Sequence, residues 1–361
     1  MNETTKRRLT RQVRVGNRLI GGDAPITVQS MTNRPASDFE GLYRQIKDLE
    51  AAGCDIVRMT VPDAEAVRAL HKLKSSDIGI PIVADIHFDY RMAIESAAAG
   101  ADKIRLNPGN IGGEDRVKAV VAACRSAGIP IRVGVNGGSL EKDLLARYGA
   151  PTPEALAESA LRHIRLLEKF DFNDVVAAVK SSDAGTMIRA ARLLAARCDY
   201  PLHLGVTEAG TARYGVLKSA VGIGSLLCDG IGDTIRVSLT DDPVREVKEG
   251  RALLGALGLD PRNRIRLVSC PTCGRTKIDL IGLTGALEER LSALSVSRPL
   301  TVAVMGCAVN GPGEAREADV GIAGGDGEAL LFRHGEIVKK LPEDGLIDAL
   351  IAEIERLGAE E

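Results

Sequence analysis

Over residues 26–257 the chain alternates short apolar, β-branched runs with longer stretches whose apolar residues recur at three-and-four spacing. The runs are ITVQSM (26–31), IVRMTV (56–61), IVADIH (82–87), KIRLNP (103–108), IRVGVN (131–136), VVAAVK (175–180), LHLGVT (202–207) and TIRVSL (234–239). Each is apolar enough to be buried on both faces, as strands of a parallel sheet are. Helical periodicity marks 38–52, 114–126, 153–169, 184–196 and 243–257. This count of strand–helix units predicts an α/β fold, a closed (β/α)8 TIM barrel. A doubly wound open sheet fits less well, because no run is followed by a clean G-x-G-x-x-G turn.

The pattern changes after LGLDPRNR (257–264), a Gly- and Pro-containing connection. IRLVS (265–269) and LTVAVM (300–305) read as strands, 280–294 as a helix and 345–357 as a terminal helix. ADVGIAG (318–324) and EALLFR (328–333) flank a Gly-Asp-Gly turn at 325–327 and read as a hairpin. The expected division is therefore a barrel over 1–257 and a small α+β domain over 258–361.

Polar residues gather towards the C-terminal ends of the barrel runs: Arg58, Asp85, His87, Arg105, Asn107, Arg132, Asn136, Lys180, His203, Glu208, Arg236 and Ser238. In a parallel barrel those ends surround one mouth, where active sites of the fold lie. Any one of these cations could be a solvated strand end or a structural ion pair. Arg58, Arg105, Arg132, Lys180 and Arg236 come from separate runs, however, and like charges converge at a cost unless an anion is expected. Guanidinium forks match phosphate oxygens, so a phosphorylated small molecule is the predicted guest. Asp85, Glu208, Asn107 and Asn136 would orient its hydroxyls. Glu208 is the favoured acid/base, the other role open to it being to neutralise Arg236 or Lys180.

Composition narrows the class. A net charge of −2 and an aromatic content of 3% with no Trp argue against nucleic-acid binding. No apolar run is long enough to span a membrane and no secretory leader is read, so a cytoplasmic protein is expected. The chain holds seven cysteines, an odd number that points to metal or catalytic thiols in a reducing compartment. Cys54, Cys124, Cys198 and Cys228 stand singly in helical or strand patterns and read as buried, inert thiols. Cys270 and Cys273 form a C-x-x-C pair in CPTCGRT (270–276), and Cys307 opens GCAVNGPGE (306–314). Three thiolates with Glu314 as the nearest hard ligand suit either a zinc site or a [4Fe-4S] cluster with one exchangeable position. Gly306, Gly311 and Gly313, which permit close backbone approach to sulfides, favour the cluster.

The motifs QSMT, VRMTV, ADIHF, IRLNPGNIG, IRVGVN, Lys180-Ser181-Ser182, GVTEAG, IRVSLT, CPTCGRT and GCAVNGPGE occur in this order. Together they resemble the 4-hydroxy-3-methylbut-2-enyl diphosphate synthase family in its two-domain bacterial form, across essentially the whole chain. The resemblance implies a barrel like that of dihydropteroate synthase and a cluster domain like those of sulfite and nitrite reductases. It implies reductive ring opening of 2-C-methyl-D-erythritol 2,4-cyclodiphosphate in isoprenoid biosynthesis. Arg58, Arg105, Arg132, Lys180, Arg236 and Ser238 would hold the diphosphate. Asp85, Asn136, Glu208 and Asn310 would contact hydroxyls or move protons, with His87 less defined. Cys270, Cys273, Cys307 and Glu314 would bind a [4Fe-4S] cluster reduced by flavodoxin or ferredoxin. A homodimer is implied, one protomer's cluster domain capping its partner's barrel, since the 257–264 connection is short for a domain to fold over its own barrel. The competing reading is a barrel phosphate-ester hydrolase or transferase with a structural zinc domain.

Overall fold

Runs that must be buried on both faces need helices around them, and that is how the chain folds in the computed structural model. It describes residues 6–359, apart from 263, 293, 295, 308–316 and 326–327. The chain divides into two compact units, Met1–Leu253 and Leu254–Glu361.

The first unit begins with a hairpin, β1 (Val13–Val15) and β2 (Arg18–Ile20). The eight predicted runs follow as β3 (Thr27–Met31), β4 (Ile56–Thr60), β5 (Ile82–Asp85), β6 (Lys103–Leu106), β7 (Ile131–Asn136), β8 (Val175–Lys180), β9 (His203–Leu204) and β10 (Thr234–Ile235). They pair in parallel in the order β8-β7-β6-β5-β4-β3-β10-β9. A bridge between Ala177 and Leu202, with Ala177 N–H donating to Pro201 at 2.9 Å, brings β8 against the approach to β9 and closes the ring. The predicted helices are present as Phe39–Ala51, Glu114–Ala127, Pro153–Glu168, Ala184–Ala195 and Pro243–Ala256. Several start on a side chain that accepts a first-turn N–H: Asp38 from Gly41, Asp63 from Ala66, Thr152 from Ala155 and Asp183 from Thr186. Each such cap fixes where a loop at the barrel mouth ends and is worth about 1 kcal/mol.

The β1–β2 hairpin was not anticipated from the sequence, although its two-residue Gly16-Asn17 turn is a recognised hairpin signal. Gly16 has φ +54°, the conformation that lets so short a turn follow the strand twist. Val13, Val15 and Ile20 pack on Ile56, Val83 and Val176 near the starts of β4, β5 and β8. The hairpin therefore plugs the N-terminal end of the barrel with hydrocarbon. Counting in twos from that floor places Arg58, Asp85 and Lys180 on the same inward face, nearer the mouth.

The second unit is a five-stranded sheet, β11 (Ile265–Ser269), β12 (Leu300–Met305), β13 (Val320–Gly324), β14 (Ala329–Arg333) and β15 (Glu336–Leu341). Its first three strands are parallel and its last three antiparallel. Helices Leu280–Ser292 and Leu346–Ala359 cover one face through Leu287, Leu350, Ile354 and Leu357 against Val302, Val304, Val320 and Ile322. Ala303, Met305, Ala323 and Phe332 line the other face. The expected β13–β14 pairing is present, while positions 326–327 of its turn lie outside the described residues. β15 is an addition, joined to β14 through His334 and Gly335 at φ +48° and +81°. Its Glu336–Leu341 sequence carries no clear alternation because it is mostly exposed.

Truncating the plug tests its part in the fold. Ile20 is fully buried against the barrel floor, so Ile20→Ala is expected to cost about 2–5 kcal/mol of stability in a urea titration.

Candidate active site

A parallel barrel points alternate side chains inward, and here the inward positions are heavily cationic. Asp85 ends β5, is buried, and lies between two guanidinium groups: Arg58 Nε at 3.2 Å from Oδ2 and Arg105 Nη1 at 2.9 Å from Oδ1. Arg58 also directs Nη2 at the Met31 sulfur, 2.9 Å away. Gly134, opposite on β7, makes room for Arg105; a Cβ there would sit 3.0 Å from Arg105 Nε. Burial favours the neutral acid at Asp85, yet Arg58, Arg105 and Arg132 outweigh it and bring the carboxyl down to about 2. Burial also draws Arg58 down to about 10, against the attraction of Asp85.

Lys180, the last residue of β8, is buried, and its ammonium is pulled well below its ordinary pKa by burial and by the nearby charges of Arg58 and Arg132. Asn136 ends β7 half-buried, its N–H donating to Ser139 Oγ at 3.3 Å. Asn107, just past β6, is buried and accepts the Gly109 N–H at 3.0 Å, which shapes the Asn-Pro-Gly-Asn turn. Ser238 is half-buried beyond β10, and His87 is exposed beyond β5. Glu208 is exposed in the loop after β9 and holds φ +53°, a backbone state that a non-glycine residue adopts only under constraint.

Three placements differ from the sequence expectation. Arg132 is the second residue of β7 and His203 the first of β9, so both sit deep in the barrel rather than at the strand ends. Arg236 is not a free cation: Nε and Nη2 each lie 3.1 Å from an oxygen of Glu246, on helix Pro243–Ala256. Glu246 also accepts from Ser30 Oγ at 2.9 Å and from the Leu239 N–H at 3.0 Å. The neutralising role considered for Glu208 is thus filled, at Arg236, by Glu246. Lys103 was missed altogether. It opens β6 two residues before Arg105, and being fully buried it sits at a position a sequence reader assigns to hydrocarbon.

The thiols of the second unit gather at the ends of β11 and β12. Those strands run in parallel with Ser269 opposite Val304, so Cys270 and Cys307 leave the sheet side by side. The Gly306 N–H donates to Cys270 Sγ at 3.2 Å, and the Lys277 N–H donates to the Gly306 carbonyl at 2.9 Å, tying the C-x-x-C loop to the Cys307 loop. Thr276 closes the Cys273 turn in both directions, accepting from its N–H at 3.2 Å and donating to its carbonyl at 3.0 Å. Arg275 lies within electrostatic reach of Cys273, Cys307 and Cys270 together. Hydrogen bonds from the Arg275 backbone and side chain draw the exposed Cys273 thiol below its usual pKa, as a thiolate ligand requires. Among the described residues no three His, Cys, Asp or Glu side chains are gathered tightly enough for one metal ion. Asn310 and Glu314 lie outside the described residues. Elsewhere burial pushes the Cys54 and Cys124 thiols up to about 12, in keeping with inert core positions. Cys198 is half-buried, and Cys228 is exposed rather than buried as expected, because it ends helix Ala212–Cys228 on its outer side.

Comparison with known proteins follows the same division. Residues 10–251 match the GcpE TIM-barrel domain and residues 266–356 the GcpE protein C-terminal domain. The chain belongs to the GcpE family. Relatives in this family include the 4-hydroxy-3-methylbut-2-en-1-yl diphosphate synthase (flavodoxin) of Geobacter sulfurreducens, 58% identical over 97% of this chain and 98% of the relative. The protein of the same name from Caldanaerobacter subterraneus is 56% identical over 98% of this chain and 99% of the relative. Among solved structures, a type I 3-dehydroquinate dehydratase from Clostridium difficile aligns with a TM-score of 0.50 at 17% identity, covering 69% of this chain and 98% of that one. That likeness shows the fold alone.

Within this GcpE barrel, Asp85 gives a measurable pH dependence. Its carboxyl is depressed in the folded state, so the stabilisation is complete above the unfolded value near pH 4 and disappears as pH falls towards 2. Urea titrations from pH 5 to 2 should show a loss of about 2 kcal/mol assignable to this group. Asp85→Asn should flatten that segment and, at neutral pH, lower stability by leaving Arg58 and Arg105 without their shared anion.

Proposed function

We propose that this chain catalyses the reaction for which its relatives are named, opening 2-C-methyl-D-erythritol 2,4-cyclodiphosphate by reduction and releasing a hydroxyl as water. The observation that carries the reading is a buried, inward-facing set of cations that outnumbers its carboxylates. Asp85 and Glu246 meet Arg58, Arg105 and Arg236, while Arg132 is 1% exposed with Nε, Nη1 and Nη2 all lacking a partner among the described residues. A barrel folded this way stores positive potential for an anion, and two linked phosphates supply the needed charge.

In this reading Arg58, Arg105, Arg132, Lys180 and Ser238 receive the diphosphate, and Arg236 joins them while anchored by Glu246. The same cations stabilise the leaving diphosphate as its charge develops. Asp85, held at about 2, is ionised at neutral pH and so donates no proton. Its part is to hold Arg58 and Arg105 in place and to accept a bond from a substrate hydroxyl. Asn136 contacts a hydroxyl from the end of β7. Glu208, exposed at the mouth on a constrained backbone, is the proton donor, with Asn310 assisting.

The reaction consumes two electrons and no side chain supplies them, so a redox group is required. Cys270, Cys273 and Cys307 would hold a [4Fe-4S] cluster, with Glu314 as the exchangeable fourth ligand. The donor set fits: the thiols come from two adjacent loops, share one guanidinium, and include a sulfur already bonded by a backbone N–H. When bound, the cluster would pass electrons from flavodoxin or ferredoxin and act as a Lewis acid towards the substrate. We further propose a cytoplasmic homodimer in which one protomer's cluster domain caps its partner's barrel.

Anaerobically purified protein should be brown, contain iron and sulfide, and turn over the cyclodiphosphate with a low-potential reductant. Colourless protein carrying one zinc would replace this reading by the hydrolase or transferase. Arg132→Ala should keep its colour while kcat/KM falls by about a hundredfold. Cys273→Ser should lose iron and colour, whereas Glu314→Gln should retain part of the cluster and lose most turnover. Mixing Arg132→Ala with Cys273→Ser protomers should restore activity if capping occurs between subunits; no recovery in a proven heterodimer removes that arrangement.

A further inference from the structure

Beneath the mouth, beside Arg132, lie two buried polar side chains that have no part in the substrate reading so far, Lys103 and His203. Lys103 begins β6, two residues before Arg105, which sets it about 6–7 Å nearer the hydrophobic floor. Arg132 on β7 is paired in register with Arg105 and lies close enough to Lys103 to act on its charge, and His203 begins β9 on the inward face that it shares with Gly205. These three are 0%, 1% and 1% exposed. The Lys103 Nζ, all three Arg132 guanidinium nitrogens and both His203 ring nitrogens lack a hydrogen-bond partner among the described residues. A buried ammonium beside a buried guanidinium, neither of them paired, is among the costliest arrangements a core can hold. It persists where the fold reserves the space for a ligand of opposite charge. Burial, Arg132 and Arg58 all work against the charge on Lys103, and Asp102 only partly offsets them. Burial, Arg132 and Lys180 keep the His203 imidazole well below its ordinary pKa, so it faces the space as a neutral hydrogen-bonding ring.

We propose that Lys103 and His203, with Arg132 between them, form a lower anion subsite that takes the deeper phosphoryl group of the ligand while Arg58, Arg105 and Lys180 hold the other. The inference rests on the diphosphate reading but is testable apart from it, because inorganic pyrophosphate probes the subsite directly. Lys103 acts here at the expense of stability. Removing its charge should therefore weaken anion binding and strengthen the fold at once, a combination that a structural lysine cannot give.

The test uses full-length protein purified anaerobically. In calorimetric titrations Lys103→Met should bind inorganic pyrophosphate about tenfold more weakly than the unaltered chain. Its Tm should rise, and KM for the cyclodiphosphate should increase by a similar factor with kcat changed less. His203→Gln should weaken pyrophosphate several-fold, which keeps the test decisive if the lysine variant fails to fold. Unchanged pyrophosphate affinity in both variants overturns the proposal, as does a fall in Tm for Lys103→Met, which would make Lys103 a structural group. If the unaltered protein binds pyrophosphate in a Lys103-dependent way but does not turn over the cyclodiphosphate, the subsite stands and the assigned substrate falls.

Discussion

Asp85 carries the electrostatics of the barrel. One carboxylate, buried at the end of β5, is shared between guanidinium groups from the strands on either side. Without it, Arg58 and Arg105 would repel each other across a medium that screens poorly. Even with it, and with Glu246 opposing Arg236, the interior remains positive, because Lys103 and Arg132 have no hydrogen-bond partner among the described residues. The hydrocarbon floor sealed by the β1–β2 hairpin raises the cost of these charges, and the closed ring of strands keeps them from moving apart. Rigid walls hold the charges where they are, so an anion of the proposed kind would meet a site already organised for it. That order of events is what makes electrostatic stabilisation effective in catalysis.

The second unit solves a different problem with the same device, parallel strands that end together. β11 and β12 lie in register, so the loops that follow them start from neighbouring positions. The C-x-x-C pair leaves one strand and Cys307 the other, and two backbone N–H bonds tie the loops together. Gly306 is needed at that crossing: a Cβ there would press on Thr276 and Leu280 at 3.0–3.1 Å. Arg275 bonds the Cys273 thiol and favours its thiolate, the form in which a cysteine binds metal.

Much of the fold could be read from the sequence because its signals are local. Runs such as VVAAVK and IRVGVN hold too many apolar residues for a half-exposed strand, and their helices announce themselves by period and cap, as Asp38 and Thr152 show. The β1–β2 hairpin and strand β15 escaped this reading for different reasons. β15 is too exposed to alternate, and the three-residue strands β1 and β2 are too short to stand out, although Gly16-Asn17 marked their turn.

By itself the sequence determined which chemistry the chain carries: cations on successive strands, one C-x-x-C pair, a third Cys in a glycine-rich loop, and motifs of one family in their order. Local spacing and residue type are enough for that, since each strand must bury its own side chains and each loop must supply its own ligands. Only the tertiary structure decided how the charges are divided. It paired Arg236 with Glu246 and placed Arg132 second in β7 and His203 first in β9, away from the strand ends. It also turned Lys103, at the start of an apolar run, into a buried cation without a partner among the described residues. Depth along a barrel axis depends on how strands are staggered against one another, and that stagger is a property of the closed sheet.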